Sequence, residues 1–299
     1  MILKILLILN IPLFLFADIV SFSITPKEYH SRKVKILDAK KLNFSDVHEL
    51  SGLTYIKGHL YAVSDQGILY LFDIKLEKDK IAALSLQKQY RLTNKNSEPF
   101  KKKKRDAESI CIYKKGFLIS FEGKNRVLYC SVKGQKLKKM KLNVLLNDKR
   151  RYQDANKGLE SVVYSKKYGI LTAPELPLKG NNQNYHTIYA RKKIWKFKAK
   201  GAVTDITFMD TDRVIVLLRE YSYFTRHRVT SLVRVNLNKC DNRSVCQSEI
   251  LALLDSANGY KIDNFEGLTK VGKNKFLMVS DDNENFFQKT LLVLFEVKN

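Results

Sequence analysis

The chain has 299 residues, of which 44% are hydrophobic and 11% aromatic, a balance that excludes a largely disordered protein. Its formal net charge of +24 would suit nucleic acid, an anionic membrane or an anionic substrate. Lys outnumbers Arg by 41 to 13, however, and Lys, Asn and Ile are abundant throughout, so we attribute most of the charge to compositional bias and expect no nucleic-acid partner.

Residues 1–17 have the pattern of a secretory signal peptide. Lys4 precedes a run of Leu, Ile and Phe that ends at the small residue Ala17. The run is interrupted by Asn10 and Pro12 and is shorter than the roughly 20 apolar residues of a membrane span. We therefore expect cleavage near Ala17, a periplasmic or secreted protein and no stable membrane span; an uncleaved N-terminal anchor is the alternative.

From residue 18 to residue 299 the sequence predicts a single all-β domain. Val34–Leu37 has the pattern of a lone strand, and short apolar runs then alternate with turns rich in Gly, Asn, Asp and Lys. Cys240 and Cys246 flank a polar turn and are candidates for a disulfide in an oxidising compartment.

Five copies of one pattern follow, each with a polar or acidic residue before a short strand and an acidic residue after the returning strand. The first position is filled by Ser51, Glu108, Glu160, Asp205 and Glu266, and the second by Asp65, Glu122, Glu175, Glu220 and Asp281. The two positions are 14 or 15 residues apart in every copy. This is the length of a hairpin, which brings its two ends together, so the paired residues are expected to be neighbours.

The period of these copies is typical of β-propeller blades. Successive copies begin 45 to 61 residues apart and contain about four strands each. The sequence therefore predicts an all-β propeller of five blades, or of six if one copy contains two merged blades. The last copy has only three strands, and Val34–Leu37 is expected to supply the fourth and to close the ring.

The innermost strands of a propeller all start at one face, so the acidic residues are expected to surround one mouth of the channel. Converging carboxylates repel one another unless their pKa values rise or a cation neutralises them. Oxygen ligands favour calcium, or magnesium with more water retained. A single Asp or Glu more often caps a turn or pairs with a local Lys or Arg, but five evenly spaced copies favour a shared site. The predicted metal ligands are Glu49, Glu108, Glu160, Asp205, Glu266 and Asp281.

Four short motifs follow one another along the chain: Leu159-Glu160-Ser161, Leu217-Leu218-Arg219-Glu220, Phe265-Glu266-Gly267-Leu268-Thr269 and Val279-Ser280-Asp281-Asp282-Asn283. In this order they resemble the phytase-like, esterase-like domain of bacterial exported proteins, and the resemblance covers roughly residues 48–297. It implies metal-assisted phosphoester hydrolysis, with calcium holding the phosphate of an anionic small molecule.

The resemblance and the predicted mouth together suggest roles for individual residues. The catalytic candidates are Glu266, Glu160, Glu108 and Arg219, and the substrate-binding candidates are Arg105, Arg126, Lys104, Glu122, Glu175 and Glu220. The Lys101–Lys104 run is expected on the same face, either attracting a phosphorylated substrate or simply as a solvated loop. His48 is considered for proton transfer, with a solvated turn residue as the alternative. We expect a monomer.

Other chemistries lack their sequence marks. The chain has no Gly-x-Ser-x-Gly nucleophile elbow, no Walker loop, no His-Glu-x-x-His and no dinucleotide fingerprint. The competing hypothesis is a non-catalytic propeller in which the acidic ring binds a structural calcium ion and the basic face docks a partner or an anionic glycan at the cell envelope.

Overall fold

A computed structural model describes residues 18–26, 33–154, 156–283, 285 and 288–298, and in these ranges the chain folds almost entirely into β-strands. The predicted signal peptide, residues 1–17, lies outside the described residues. The first strands are β1 (Ile19–Ser21), β2 (Val34–Leu42), β3 (Leu50–Ile56), β4 (His59–Ser64), β5 (Ile68–Glu77) and β6 (Lys80–Arg91). The strands β3 to β6 pair in chain order as one antiparallel sheet, which we call blade 1.

Blade 2 follows a short helix, α1 (Lys102–Arg105), which forms within the predicted Lys run. Blade 3 is divided into two hairpins joined by a bridge between Thr172 and Tyr189, whereas the sheet of blade 2 is continuous. Blade 2 consists of β7 (Ala107–Tyr113), β8 (Gly116–Phe121), β9 (Arg126–Ser131) and β10 (Lys136–Lys139), and blade 3 of β11 (Val163–Ser165), β12 (Gly169–Leu171), β13 (His186–Tyr189) and β14 (Ile194–Phe197). Short 3₁₀ helices at Val144–Leu146 and Lys149–Arg151 lie between the two blades.

Blade 4 is the largest four-stranded sheet, and blade 5 completes the ring after a 3₁₀ turn at Ser256–Asn258. Their strands are β15 (Ala202–Phe208), β16 (Arg213–Ser222), β17 (His227–Cys240) and β18 (Cys246–Asp255), then β19 (Asn264–Lys270), β20 (Lys275–Asp281) and β21 (Leu291–Val297). Four blades are therefore continuous sheets of four or five strands, and the third copy of the pattern forms the divided blade 3.

The predicted closure of the ring by the N-terminal strand is confirmed. Strand β2 pairs antiparallel with β21, with Val34 opposite Val297, and β1 adds a further strand outside β2. The fifth sheet thus combines strands from both ends of the described chain.

The innermost strands β3, β7, β11, β15 and β19 contact one another in sequence, and β19 returns to β3. Two glycines permit the closest approaches. A Cβ atom on Gly52 would lie 2.6 Å from the Cα of Ser109, and one on Gly267 would lie 3.1 Å from the Cα of Gly52. Any larger side chain at Gly52 would push the first and second blades apart, so the tight central ring depends on this residue.

The hydrophobic core lies between the blades. Because each blade is covered on both faces, its middle strands are apolar without alternation, and Val214–Leu218 of β16 are all fully buried. Trp195 is buried between blades 3 and 4, where its Nε1 donates to the carbonyl oxygen of Leu237 at 3.0 Å.

Cys240 and Cys246 form the disulfide for which their spacing made them candidates, and it joins facing ends of β17 and β18. Cys111 and Cys130 are free thiols. None of the helices in the described residues has the length and apolar character needed to cross a lipid bilayer.

Candidate functional site at the mouth of the channel

Four innermost strands, β3, β7, β15 and β19, carry an extra residue near their start, and the segment just before β11 has the same offset of one residue. In blade 1, Leu50 faces Ser64 and Gly52 faces Val63, which leaves Ser51 unopposed. In blade 5, Glu266 is the unopposed residue in the same way. A β-bulge of this kind redirects a side chain and is common beside active sites. The five residues at this position are Ser51, Glu108, Glu160, Thr204 and Glu266.

This register corrects the predicted position of Asp205. Val203 faces Leu218 and Asp205 faces Leu217, so Thr204 is the bulge residue and Asp205 lies one place further along β15. There it corresponds to the small residues Gly52 and Gly267, which point at the neighbouring inner strand.

The carboxyl group of Asp205 is buried in the channel and is fully engaged with protein donors. It accepts the hydroxyl of Ser109 at 2.7 Å and the backbone N–H groups of Ile206 and Leu268, each at 2.8 Å. Burial raises the pKa of Asp205 well above its usual range, although these hydrogen bonds act in the opposite direction. Asp205 therefore joins the inner strands of blades 2, 4 and 5 and lies apart from the acidic groups described next.

Two groups of three carboxylates meet at the mouth. The first is formed by Asp106, Glu108 and Glu122, and the second by Glu122, Glu160 and Glu175. In each group the ligand oxygens lie within 4.8 Å of one another, and Glu122 belongs to both. These groups bring together four residues singled out in the sequence and add Asp106.

The repeated sequence pattern did not include Asp106, because it aligned only two positions in each copy, those of Glu108 and Glu122 in blade 2. It lies two residues before Glu108, as Glu49 lies two residues before Ser51 and Asn264 two before Glu266. The backbone confirms this equivalence, since the N–H of Asp65 donates to Glu49 and that of Glu122 donates to Asp106. The position two residues before the bulge residue is polar in three copies, and this was the sequence signal that could have identified Asp106.

Arg219 occupies the place where the other blades carry the second carboxylate. It faces Ala202 at the start of β15, as Asp281 faces Asn264 in blade 5, so Glu220 lies one residue beyond the predicted position. The guanidinium of Arg219 contacts Glu266 and Asn264, and its Nη2 lies 3.6 Å from Oε1 of Glu175.

Glu175 carries a second cationic contact. The Nζ of Lys157 lies 2.8 Å from its Oε1, and the carboxyl group of Glu175 is almost completely buried. Lys157 precedes blade 3 in a loop, and no sequence pattern marked it as a site residue. One side of the acidic mouth is therefore cationic.

Burial and mutual repulsion set the protonation of the ring. Burial raises the pKa of Glu108 and of Glu160 well above the usual range, and neighbouring carboxylates raise both further. The same two causes raise the pKa of Asp281 to about 8. For Glu122, burial raises the pKa to about 7 even though the Gly158 N–H donates to its Oε1 at 2.8 Å.

Burial acts in opposite directions on the pKa values of Asp65 and Arg219. Burial, followed by a hydrogen bond and repulsion from Glu49, raises the pKa of Asp65 to about 9, and its Oδ1 is buried without a hydrogen-bond partner among the described residues. Burial alone would lower the pKa of Arg219, but Glu266 and Glu175 outweigh it and raise the value, so Arg219 stays charged.

The remaining acidic candidates lie beside these groups. Glu49 accepts from Gln66, which in turn accepts from Arg105, so a polar chain leads from the ring to α1. Asp282 accepts the Glu49 N–H at 3.1 Å and contacts His48, and thereby holds blade 1 against blade 5.

Arg126 is buried and lies over the rings of Phe100 and Phe121, and its Nη2 donates to the carbonyl oxygen of Lys104. It therefore supports α1 from below, while the side chain of Lys104 is exposed at the rim. Glu220 belongs to neither carboxylate group and lines two cavities, one at the mouth and one beside it.

Comparisons with solved structures found proteins of low similarity to this chain. The PQQ-bound aldose sugar dehydrogenase of Streptomyces coelicolor has a TM-score of 0.46 at 9% identity, over 89% of this chain and 98% of that one. The glutaminyl cyclase of Myxococcus xanthus has a TM-score of 0.47 at 11% identity, over 89% and 97%. A search of curated proteins found no match.

One family model matches most of the chain. The family described as "Phytase-like: Esterase-like activity of phytase" matches residues 45–284, which include all five inner strands and every member of the two carboxylate groups. The chain therefore belongs to this phytase-like family.

Proposed function

We propose that the protein hydrolyses phosphoesters at the acidic mouth with the help of a divalent cation, calcium in the first place and magnesium as the alternative. The observation that carries this proposal is the pair of three-carboxylate groups that share Glu122. Family membership supports a phosphorylated substrate.

The residues present fit a hard divalent cation. Their donors are carboxylate oxygens, the class that calcium and magnesium prefer. Without a cation, burial and then repulsion between carboxylates raise the pKa values of Glu108 and Glu160 well above the usual range, and the Oδ1 of Asp65 has no partner among the described residues. The ligands we propose are Asp106, Glu108, Glu122, Glu160 and Glu175, with Glu49, Asp65, Glu266 and Asp281 next to them.

When bound, such a cation polarises a phosphoryl oxygen and makes a water molecule more acidic. The protein supplies the remaining parts. Arg219 and Lys157 lie on the cationic side of the mouth, where they can hold the phosphate and offset the charge that develops on it. Burial raises the pKa of Glu266, which Asn264 holds in place at 2.8 Å, so we assign Glu266 to proton transfer.

Lys104 is exposed on α1 and Arg105 next to it is partly exposed, and we propose that both attract the anionic substrate from solution. We further propose a monomer that acts outside the cytoplasm on a phosphorylated small molecule. The disulfide between Cys240 and Cys246 supports an oxidising location.

A second candidate function is a non-catalytic propeller with a structural cation. The ion pairs of Arg219 with Glu266 and of Lys157 with Glu175 favour it, because they already neutralise part of the ring. In this case the cation would stabilise the fold and no ester would be cleaved.

Turnover of p-nitrophenyl phosphate by the purified protein in calcium, magnesium or EDTA separates the two functions. We expect cation-dependent turnover that falls about 100-fold or more in Glu160→Gln and stays near the wild-type rate in Glu77→Gln, which alters an exposed carboxylate at the end of β5 far from the mouth. Thermal stabilisation by calcium without any turnover of this ester would instead support the structural site.

A further inference from the structure

A groove of about 1170 Å³ lies between blades 3 and 4. The strands of blade 3 have only three or four residues, whereas β17 has 14 and β18 has 10. The short blade cannot cover the whole facing sheet. As a result Ile250 and Leu253 of β18 remain 57% and 50% exposed on the groove wall.

A buried histidine on the opposite wall has one ring nitrogen without a hydrogen-bond partner among the described residues, while its other nitrogen bonds to the backbone of Gly201. His186 of β13 is only 4% exposed, stacks on Phe197 and lines the groove. Its Nδ1 is buried and has no hydrogen-bond partner among the described residues. Burial lowers the pKa of His186 to about 4, so the ring is neutral at ordinary pH. A buried polar atom without a partner is rare in a native protein and points to a group from outside the chain.

The charges around the groove favour an anion. Glu249 pairs with Lys33 and Arg234, and Asp255 contacts the ring of His227 at 2.6 Å, so both acids are already engaged by neighbouring side chains. Two further lysines on the groove wall, at positions 198 and 200, are exposed and have no ion-pair partner among the described residues.

The groove also adjoins the candidate active site. A second cavity of about 500 Å³ lies at the mouth and is lined by Arg219 and Glu175. Glu220 and Val229 line both cavities, so the two share a wall. A molecule whose charged end lies beside Arg219 would reach the groove by passing these two residues.

We propose that this groove binds the apolar chain of an amphiphilic anion, a long-chain alkyl phosphate ester, whose head group lies at the carboxylate mouth. The proposal rests on the proposed function for the identity of the head group. Ile250 and Leu253 provide the apolar contact, and the Nδ1 of His186, the acceptor nitrogen of the neutral ring, can accept a hydrogen bond from a hydroxyl carried on the chain. The apolar area that the chain removes from water would provide most of its affinity.

Calorimetric titration with dodecyl phosphate and with methyl phosphate tests the groove directly. We expect dodecyl phosphate to bind at least about tenfold more tightly, because only its chain reaches the groove. Leu253→Glu should remove this preference without affecting methyl phosphate. The matched control is Leu137→Glu, which changes a leucine of similar exposure, 52%, on the outer strand β10 of blade 2 and should leave both affinities unchanged.

His186→Phe tests the unpartnered nitrogen while it keeps a ring against Phe197. A dodecyl phosphate that carries a hydroxyl group on its chain should bind about three to ten times more weakly to this variant than to the wild type, whereas plain dodecyl phosphate should bind equally well to both. Circular dichroism would show that the fold is retained.

The outcomes separate this inference from the proposed function. Equal affinity for dodecyl and methyl phosphate, or an unchanged preference in Leu253→Glu, would contradict binding of the alkyl chain in the groove. Neither result would contradict the proposed function, which is tested by turnover of p-nitrophenyl phosphate. Binding of dodecyl phosphate that depends on Leu253, without hydrolysis of any ester, would support the groove and overturn the catalytic function.

Discussion

The guanidinium of Arg219 contacts the carboxylate of Glu266 across the boundary between blades 4 and 5, at a position where the other blades carry an acid. The same guanidinium lies 3.6 Å from Glu175 of blade 3. One cation on blade 4 thus links acidic groups of blades 3 and 5 and keeps one side of the mouth receptive to an anion.

Replacing Arg219 by Gln should lower both the stability and the turnover of the protein but raise its calcium affinity. In EDTA the free energy of unfolding should fall by about 3 kcal/mol, because buried carboxylates lose their partner. Calcium affinity should rise, since one positive charge leaves the ring, while turnover of p-nitrophenyl phosphate should fall about 100-fold. Urea unfolding, calorimetry and kinetics would measure the three effects. Arg226→Gln, an exposed arginine at the tip of the β16–β17 hairpin, is the control, and calcium binding that weakens in Arg219→Gln would contradict the arrangement.

Glu122→Gln should affect both carboxylate groups at once, because Glu122 belongs to each. We expect calcium affinity to fall at least about tenfold, the effect of losing a charged ligand. Glu160→Gln alters only the second group and should leave part of the binding intact. Calorimetric titration compares the two variants, and a smaller loss in Glu122→Gln than in Glu160→Gln would argue against a shared ligand.

The raised pKa values predict how stability depends on pH. In the folded protein the pKa is about 9 for Asp65, about 8 for Asp281 and about 7 for Glu122, against about 4 in the unfolded chain. The unfolded state therefore loses these protons first as pH rises, so their contribution is complete below about pH 4 and is lost through about pH 7 to 9.

In EDTA the melting temperature should consequently fall by at least about 5 °C between pH 5 and pH 9. Saturating calcium should largely remove this decline, because a bound cation stabilises the ionised carboxylates. Thermal scans over this range provide the measurement. A melting temperature that rises with pH in EDTA would show that the carboxylates are already ionised in the cation-free protein.

Asp205→Asn tests the structural role of the channel aspartate. An amide nitrogen would face either the Leu268 N–H or the Ile206 N–H, both of which now donate to Asp205. One buried donor would lose its acceptor, so we expect a loss of about 2 kcal/mol in the free energy of unfolding. Calcium affinity should change little. If Asp205→Asn lost calcium affinity but kept its stability, Asp205 would be a metal ligand, as the sequence predicted.

The sequence was sufficient for the blades because their signals are local. Strand and turn patterns, the regular period of the acidic pairs and the short last copy together predicted the propeller and its closure by Val34–Leu37, which the pairing of β2 with β21 confirms. Glu108, Glu122, Glu160 and Glu175 were found in the same way, since a hairpin brings its ends together whatever its detailed geometry.

Positions that depend on a bulge were harder to predict. A spacing of 15 residues fits Asp205 with Glu220 as well as it fits Thr204 with Arg219, and only the register shift between Val203 and Asp205 decides between them. The groove beside blade 3 also could not be predicted from the sequence, because it results from the unequal size of two neighbouring sheets.

The pairing of Val34 with Val297 also bears on how the protein acquires its structure. These strands come from opposite ends of the described chain, so the fifth sheet forms only when residues far apart in sequence meet, a step that is slow in proteins rich in non-local contacts. Blades 1 to 4 each consist of consecutive strands and can assemble earlier. During synthesis the protein would therefore exist as an open arc with two unpaired edges, vulnerable to association until its last strand is released.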